Sequence, residues 1–389
     1  MKKIAIVTPK LGIGGCEKAL IAMLKAMNKD KYDITIFIKE NGGDLLRDVP
    51  SWIKVMVIDD ANKDSAGLIK NYIKQRKFLK AINSMYYLLL LRTSKNKNKQ
   101  LFYYSKALSD VNERFDLAIS YFMPPNFSDW YVINHINSNK KAIWIHSDVM
   151  RIKDIHNKMH ENMYLKYDKI FCVCKDVAEN FKKCFKSTTE KVDIFYNIIS
   201  KGSIVEKANN LKSFDDIFNG IRILTVGRLS KEKGQLLIPE ILVRLKNDGL
   251  NVRWYCVGNG YIKDELNEAI LKYNLRNNLI LLGTKDNPYP YMRDCDIYVQ
   301  PSEYEGYCTT VEEARCFNKP IIMTNCTGAK EQVIDGETGF IVNYNENELY
   351  EKIKLLVDNK ELRDFFEENC KNKIIDSTNE IEKIDKLFN

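Results

Sequence analysis

The sequence predicts an α/β protein made of two doubly wound domains, and three observations support this fold class. The chain has 389 residues, more than one hydrophobic core usually supports. Short apolar runs alternate with helical patterns in two successive series, which is typical of parallel sheets covered by helices on both faces. Between the two series, from Ile199 to Asn219, the sequence is polar and without clear periodicity, and this predicts a linker.

The first series begins at Lys3–Thr8, a continuous apolar run that predicts a buried strand. A helix is predicted after it, because apolar residues recur there on one helical face. The residues of that face are Ala19, Leu20, Met23, Leu24 and Met27. The other predicted strands of the series are Asp33–Ile38, Lys54–Ile58, Leu117–Ser120, Ala142–Ile145 and Lys169–Val173.

The second series has the same alternation, with a helix predicted over Gln235–Lys246, for example. Its predicted strands are Arg222–Val226, Val252–Val257, Leu279–Leu282, Asp296–Val299, Pro320–Met323 and Phe340–Val342. We therefore predict an amino-terminal Rossmann-like domain over residues 1–200 and a carboxyl-terminal one over residues 201–372. A terminal helix over residues 373–389 is expected to pack back on the first domain.

Composition describes an ordinary globular protein, with 45% apolar and 29% charged residues. The apolar part of the first strand is too short for a signal peptide, and the run Met85–Leu91 is too short to span a bilayer. The ten cysteines are scattered without a Cys-x-x-Cys pair, which favours reduced thiols in a cytosolic protein. His156 and His160 could share a metal, but a solvated helix face is the favoured interpretation.

The net charge of +8 is concentrated in one stretch. Between Ala61 and Arg114 there are twelve Lys and Arg residues but three Asp and Glu residues, and the run Met85–Leu91 lies inside. Basic helices with aromatic and leucine residues are typical of membrane-surface binders. The alternative is a solvated insertion whose leucines pack on the core. Nucleic-acid binding is disfavoured, because no recognition motif accompanies the charge.

Glycine-rich turns follow the first strand of each series. Pro9–Lys18 contains Gly12, Gly14 and Gly15 ahead of Glu17, and such a turn lets a ligand approach the backbone closely. It matches neither the dinucleotide pattern nor a phosphate loop of the Gly-Lys-Ser/Thr kind. A simple tight turn between strand and helix remains the alternative.

The second turn, Gly227–Gly234, carries two cations five positions apart, Arg228 and Lys233. A diphosphate leaving group needs positive charge, which arginine supplies as a bidentate fork and lysine as a point charge. A basic surface turn is the alternative. Two further strand ends carry turn residues, at Gly258 and at Asn287–Pro288. His146 ends a strand of the first domain, where it serves either the site or a structural hydrogen bond.

Two acidic residues, Glu305 and Glu313, are separated by seven positions and lie on either side of a predicted helix start. They follow a buried strand, and ligands of open parallel sheets bind at the carboxyl ends of strands. The alternative is structural, because Thr310-x-x-Glu313 also matches a capping box.

Together these segments resemble the signature elements of the retaining, nucleotide-sugar-dependent glycosyltransferases of family four, whose GT-B fold has two Rossmann-like domains facing a central cleft. The resemblance is strongest from Ile223 to Phe340 and weak from about Lys63 to Asn112. One departure is Tyr307-Cys308, where the family usually has Phe-Gly or Phe-Pro. It leaves the identity of the donor sugar open.

The resemblance implies a role for each matching residue. Arg228 and Lys233 would grip the diphosphate, Glu305 would bind sugar hydroxyls, Glu313 the ribose, and His146 would lie near the reacting sugar. Catalytic residues would be Glu305, Arg228, Lys233 and His146. Donor-binding residues would be Gly15, Gly227, Gly258, Asn287, Pro288, Gly306, Tyr307, Cys308, Thr309, Thr310 and Glu313. Acceptor-side residues would be Gly14, Gly15 and Glu17.

The resemblance also bears on metals, because Asp294-Cys295-Asp296 matches the Asp-x-Asp metal motif of other glycosyltransferases. This motif precedes its strand, so we expect it on the side away from the ligand, and we expect no essential metal or other cofactor.

The sequence therefore predicts a retaining glycosyltransferase that moves a sugar from a nucleotide diphosphate sugar, with a UDP-sugar favoured, to a lipid-linked glycan. We expect it on the cytoplasmic face of the cell membrane, in the synthesis of a surface polysaccharide or glycoconjugate. Three alternatives stay open: a sugar-nucleotide epimerase of the same fold, a catalytically silent partner subunit, and a basic membrane-surface scaffold. An epimerase would convert its nucleotide sugar with no acceptor present.

Overall fold

The computed structural model describes residues 1–40, 42–58, 65–373 and 376–388. The chain divides into two compact units. Unit 1 comprises Met1–Ile198 together with Thr378–Asn389, and unit 2 comprises Ile199–Ser377. Each unit is a parallel sheet with alternating helices, so the predicted α/β fold class is confirmed.

Within the described residues, unit 1 contains a seven-stranded parallel sheet in the order β3-β2-β1-β4-β5-β6-β7. Its strands are β1 Lys2–Thr8, β2 Tyr32–Ile38, β3 Lys54–Val57, β4 Arg114–Phe122, β5 Asn137–Ile145, β6 Lys169–Cys172 and β7 Val192–Ile194. The central strands are apolar runs because helices cover both faces of the sheet. The strand order reverses between β1 and β4, which opens a crevice at their carboxyl ends.

The helices of unit 1 connect these strands. They are α1 Gly15–Ala26, α2 Ser65–Lys74, α3 Phe78–Thr93, α4 Lys97–Ala107, α5 Phe127–His135, α6 Lys158–Tyr164 and α7 Lys175–Cys184. Helix α1 buries Leu20 and Leu24 against the sheet, in a core that includes the fully buried Trp144. Helices α2, α3 and α4 form an insertion between β3 and β4.

Unit 2 contains, within the described residues, a six-stranded parallel sheet in the order β10-β9-β8-β11-β12-β13. Its strands are β8 Ile221–Val226, β9 Val252–Val257, β10 Leu279–Gly283, β11 Ile297–Gln300, β12 Ile321–Thr324 and β13 Gly339–Val342. Its helices are α8 Lys201–Ala208, α9 Ile238–Asn247, α10 Lys263–Lys272, α11 Tyr289–Asp294, α12 Thr309–Arg315, α13 Ala329–Gln332, α14 Glu346–Asp358 and α15 Lys360–Lys371. The strand order reverses between β8 and β11.

The carboxyl-terminal segment joins unit 1. Its helix α16 spans Glu382–Asp385 and buries Ile384 in the core of unit 1. The Asp385 carboxylate accepts a hydrogen bond from the Tyr32 hydroxyl and forms an ion pair with Lys31 at 2.6 Å. Residues 374, 375 and 389 of the predicted terminal helix lie outside the described residues.

Two predictions about local structure are wrong. The polar segment Ile199–Asn219 is not only a linker, because α8 lies in it and buries Ile204 and Ala208 in unit 2. The run Lys95–Lys99, whose locally biased composition predicts a mobile loop, is instead helical from Lys97, where α4 begins. The side chain of Asn96 caps this helix by accepting a hydrogen bond from the Lys99 N–H at 3.0 Å.

Candidate functional site

The candidate site of unit 2 lies where its strand order reverses. Strands β8 and β11 are parallel neighbours, so the loops that follow them leave the same edge of the sheet side by side. The β8 loop carries Arg228 and Lys233, and the β11 loop carries Glu305. Crevices of this kind bind ligands in open α/β sheets.

Two glycines allow these loops to approach their neighbours. Gly234 has a φ of 72°, and a Cβ at this position would lie 1.8 Å from the carbonyl oxygen of Pro301. Gly258 has a φ of 143°, and a Cβ there would lie 1.9 Å from the carbonyl oxygen of Gly227. Any larger residue would push the loops apart, so the glycines set the spacing of the site.

Lys233 and Glu305 form a close ion pair across the two loops. The Lys233 Nζ donates to both Glu305 carboxylate oxygens, at 2.6 and 2.8 Å. The side chains are 24% and 9% exposed, so the pair is largely shielded from water. Burial acts to lower the pKa of Lys233, but the Glu305 carboxylate outweighs it and raises the pKa above its ordinary value. The lysine therefore remains a cation.

A buried amide holds the carboxylate of this pair in place. Gln300 ends β11 and is fully buried. Its Nε2 donates to the Ser302 hydroxyl at 2.8 Å, and that hydroxyl donates to Glu305 Oε1 at 2.7 Å. Its Oε1 accepts from the hydroxyls of Tyr298 at 3.0 Å and Thr310 at 3.3 Å. Gln300 was not among the predicted site residues, because in the sequence it is only one polar residue at the end of a buried strand.

Arg228 is the second cation of the β8 loop. Its side chain is exposed, and within the described part of the chain its guanidinium makes no hydrogen bond or ion pair. Its carbonyl oxygen accepts a hydrogen bond at 2.9 Å from Nε2 of Gln235, a fully buried residue. The backbone at Arg228 is thus fixed while the guanidinium faces solvent.

The segment from Gly306 to Thr310, which leads into the first turn of α12, is held by side chains that the sequence did not single out. Gln332 donates to the carbonyl oxygen of Cys308 at 2.7 Å and accepts from its N–H at 3.2 Å. Glu312 accepts from the Tyr307 hydroxyl at 3.0 Å and forms an ion pair with Arg315 at 2.7 Å. The Tyr307 side chain is therefore turned toward helix α12.

Glu313 is buried, and its Oε1 accepts a hydrogen bond at 3.1 Å from the hydroxyl of Tyr289. Burial and then the nearby Glu313 raise the pKa of Tyr289 well above its ordinary value. Asn287 joins the same group, because its Oδ1 accepts from the Tyr289 N–H at 3.2 Å.

The capping-box alternative for Glu313 does not hold. Helix α12 begins at Thr309 with Cys308 as its N-cap, and no side-chain hydrogen bond caps it. Thr310 is therefore inside the helix, and Glu313 lies too far along it for a capping box.

In unit 1, the turn after β1 forms around Glu17. This side chain is 7% exposed, and a Cβ added to Gly14 would lie 2.3 Å from its Oε2. Gly14 is the N-cap of α1 in extended conformation, so its missing side chain makes room for the carboxylate. Gly15 is the first residue of the helix.

His146 directly follows β5 and is 7% exposed. Its ring lies 4.6 Å from the ring of Tyr121, and its Nε2 has no hydrogen-bond partner among the described residues. Burial lowers the pKa of His146 to about 3, so the imidazole is neutral at physiological pH.

The acidic residues of the Asp-x-Asp motif are used in local structure. Asp294 forms an ion pair with Arg293 at 2.7 Å and accepts from the Ser213 hydroxyl at 2.6 Å. Asp296 accepts from the Arg222 N–H at 2.7 Å, just before β11 begins. Across residues 1–40, 42–58, 65–373 and 376–388, no three His, Cys, Asp or Glu side chains are grouped to hold a metal ion.

The favoured interpretation of His156 and His160 is wrong for one of them. His160 is fully buried within α6, and burial lowers its pKa to about 4. His156 precedes the helix, and its Nε2 lies 2.8 Å from the carbonyl oxygen of Val149. The two histidines therefore do not form one solvated helix face.

In the described residues no helix has both the length and the apolar character needed to cross a membrane.

Comparison with known proteins shows similarity to glycosyltransferases. Residues 213–373 match the model for glycosyl transferases group 1. The chain is 32% identical over 211 residues to the N-acetylgalactosamine-N,N'-diacetylbacillosaminyl-diphospho-undecaprenol 4-alpha-N-acetylgalactosaminyltransferase of Campylobacter jejuni, covering 54% of this chain and 56% of that one. It is 25% identical over 223 residues to the UDP-Gal:alpha-D-GlcNAc-diphosphoundecaprenol alpha-1,3-galactosyltransferase of Escherichia coli, covering 57% and 56%.

These alignments span little more than half the length of the two relatives. The fold is shared with the crystal structure of a TarM mutant of S. aureus in complex with fondaparinux, alpha-GlcNAc-glycerol and UDP. That likeness has a TM-score of 0.71 at 15% identity and covers 100% of both chains. The architecture is thus the GT-B fold that the sequence predicted. Residues 213–373, which contain the candidate site of unit 2, are thus similar to the glycosyl transferases group 1.

Proposed function

We propose that this protein is a retaining glycosyltransferase that transfers a sugar from a nucleotide diphosphate sugar, with UDP-sugars favoured, to a lipid-linked glycan. The observation that carries the proposal is the pair of cations on the β8 loop, Arg228 and Lys233, beside Glu305 at the strand-order reversal of unit 2. The family of residues 213–373 supports the same reaction class.

The chemistry follows from the charge that develops on the leaving group. As the sugar departs, negative charge grows on the diphosphate, and fixed cations stabilise it. A lysine ammonium has three donors, and two of the Lys233 donors are directed at Glu305, so the third is available to a phosphate oxygen. Arg228 would add a bidentate contact from its solvent-facing guanidinium.

The remaining predicted residues complete this proposal. Glu305 orients Lys233 and would contact donor sugar hydroxyls, while Glu313 would bind the ribose beside Tyr289. Neutral His146 and the turn around Glu17 would serve the reacting sugar and the acceptor in unit 1. The cations would replace a metal in this role, so we propose no essential metal.

Names of relatives support the choice of substrates. The Campylobacter and Escherichia relatives act on diphospho-undecaprenol-linked sugars by name, and the latter uses UDP-Gal. The TarM structure contains UDP. We accordingly propose a lipid-linked acceptor, a UDP-sugar donor, and a place on the cytoplasmic membrane face in the synthesis of a surface polysaccharide or glycoconjugate.

A thermal-shift screen of UDP-, GDP- and ADP-sugars tests donor binding, followed by incubation of the best donor with an undecaprenol-diphosphate-linked sugar. A ligand at a hundred times its Kd stabilises the native state by about 2.7 kcal/mol. We expect one UDP-sugar to raise the Tm, and NMR of the product to show the donor's anomeric configuration. Inversion would contradict retention. Conversion of the donor without acceptor would favour an epimerase, and absence of any Tm shift would contradict the proposal.

A further inference from the structure

We infer that one face of helix α3 is a docking surface for an anionic lipid bilayer. Helix α3 has one face buried in unit 1, formed by Ala81, Ser84 and Leu88. The Ser84 hydroxyl donates to the carbonyl oxygen of Ala107 at 2.8 Å, which ties this face to α4. The helix is therefore a fixed element of the fold rather than a loose appendage.

The opposite part of the helix surface is apolar and exposed, and we call it the α3 apolar face. Its residues are Phe78, Leu79, Ile82, Met85, Tyr86 and Leu89. At about 100° per residue they fall within an arc of roughly 120°. Leu79 is 85% exposed, and Ile82 and Leu89 are 59% and 60% exposed. Single exposed leucines are common on proteins, but a continuous apolar stripe marks an interaction site.

The charge around this face selects the partner. Between Ser65 and Ala107 the sequence has ten Lys and Arg residues and no acidic residue. Arg76 and Lys77 lie just before the helix, and Arg92 lies in its last turn. Exposed apolar residues flanked by cations match the headgroup boundary of an anionic bilayer.

The structure contains features that match each of the two earlier interpretations of this segment. Leucines do pack on the core, as Leu88 shows, but a second set of apolar residues remains exposed on the other side. Lys80 forms an ion pair with Asp110 and contributes less free charge than its neighbours. Residues 61–64 of the basic stretch lie outside the described residues.

A vesicle flotation assay tests the inference on the full chain. Vesicles of phosphatidylcholine containing about one-third phosphatidylglycerol should bind the wild type, and binding should weaken at salt concentrations that shorten the Debye length to about 3 Å. The triple variant Leu79→Ser, Ile82→Ser and Leu89→Ser should bind at least about tenfold more weakly. The triple variant Lys74→Ser, Arg76→Ser and Lys77→Ser should bind these vesicles about 100-fold more weakly than the wild type.

Matched controls replace exposed residues elsewhere. Leu271→Ser with Leu355→Ser removes exposed apolar residues of unit 2, and Lys183→Ser with Lys186→Ser and Lys263→Ser removes exposed charge. These variants should float like the wild type. Equal loss in the controls, or a wild type that does not float at low salt, would overturn the inference.

Two further measurements complete the test. Sedimentation tests whether a second copy of the chain occupies the face, and UDP-sugar binding separates failure of this inference from failure of the proposed function. If sedimentation shows a wild-type dimer that the α3 apolar-face variant splits, the face contacts a second copy, and the bilayer inference fails. The inference rests on the proposed function only for the membrane location of the acceptor. Retained UDP-sugar binding with no flotation would reject this inference alone, whereas flotation without nucleotide-sugar binding would reject the proposed function alone.

Discussion

Lys233 donates to both carboxylate oxygens of Glu305, at 2.6 and 2.8 Å, although 72 residues separate them in the chain. The contact exists because β8 and β11 are neighbours and because Gly234 lets its loop lie against Pro301. Two residues that sequence analysis assigned to different parts of the donor thus form one electrostatic unit. We expect the pair to present one oriented ammonium donor to the diphosphate.

A double-mutant cycle measures the strength of this pair. Lys233→Met should lower the free energy of unfolding by about 2–3 kcal/mol, because it leaves a shielded carboxylate without its cation. Glu305→Gln should cost less, and the double variant should be more stable than the sum of the single losses predicts, by about 1 kcal/mol. Denaturant unfolding gives these values. Additive losses would show that the two side chains do not interact energetically.

Arg228→Ala should affect catalysis and leave stability unchanged. The exposed guanidinium makes no hydrogen bond or ion pair within the described residues, so the Tm should stay within experimental error. Loss of a cation that stabilises the transition state should cost about 3 kcal/mol, or roughly 100-fold in kcat/KM. Lys231→Ala is the matched control, since its side chain is exposed on the same loop. An equal loss from Lys231→Ala would contradict the role of Arg228.

Sequence periodicity was sufficient to predict the two sheets, because their central strands are continuous apolar runs. It missed β7, a strand of three residues, and α8, whose helix is stabilised by packing of Ile204 near Cys316. The charged residues of the site could also be predicted from the sequence, because cations and carboxylates follow predicted strands, and ligands of open parallel sheets bind at the carboxyl ends of strands. The contacts among these residues could not be predicted, because the contacts depend on how two loops that are distant in the sequence pack together.

Gln300 illustrates the same limit on sequence analysis. Its role as the anchor of Ser302 and Glu305 follows from complete burial at the end of β11, and burial of one polar residue has no local signal in the sequence. His160 is a second example, because only tertiary packing shows that it is buried while His156 is exposed.

Glu313→Gln should weaken nucleotide binding about tenfold or more and lower the Tm little. The substitution keeps an oxygen that accepts from the Tyr289 hydroxyl, but it removes the charge that would accept from ribose hydroxyls. Isothermal titration with UDP measures the affinity. Tyr289→Phe is the control, because it removes the partner and leaves the carboxylate. Unchanged UDP affinity in Glu313→Gln would assign Glu313 a structural role only.

His146 should make the protein less stable in acid. Burial lowers its pKa from 6.5 to about 3, so between these values the unfolded state binds the extra proton. The contribution of neutral His146 to the free energy of unfolding is complete above about pH 6.5 and is lost as the pH falls toward 3. Between about pH 6 and 4, the wild type should lose about 1 kcal/mol per pH unit more than His146→Gln.

The comparison with His146→Gln isolates this histidine from other buried groups in the same pH range. Burial lowers the pKa of His160 to about 4, so His160, like His146, makes the protein less stable as the pH falls. Burial raises the pKa of Asp129 to about 7, so Asp129 stabilises at low pH and loses that contribution as the pH rises toward 7. Both groups are present in both proteins. Identical pH slopes for wild type and variant would contradict the prediction, and His156→Gln serves as the exposed control.

Removal of divalent metals should leave most transferase activity. The diphosphate charge would be met by Arg228 and Lys233, while Asp294 and Asp296 are engaged by Arg293, Ser213 and the Arg222 N–H. The measurement is the transfer rate with a UDP-sugar before and after treatment with a strong chelator. Asp296→Asn should lower the Tm, because a weaker acceptor faces the Arg222 N–H, yet it should leave the rate unchanged. A rate abolished by the chelator and restored by manganese would show that a metal serves the leaving group. In that case Arg228→Ala should have a correspondingly small effect on kcat/KM, so the two measurements together decide which charge stabilises the diphosphate.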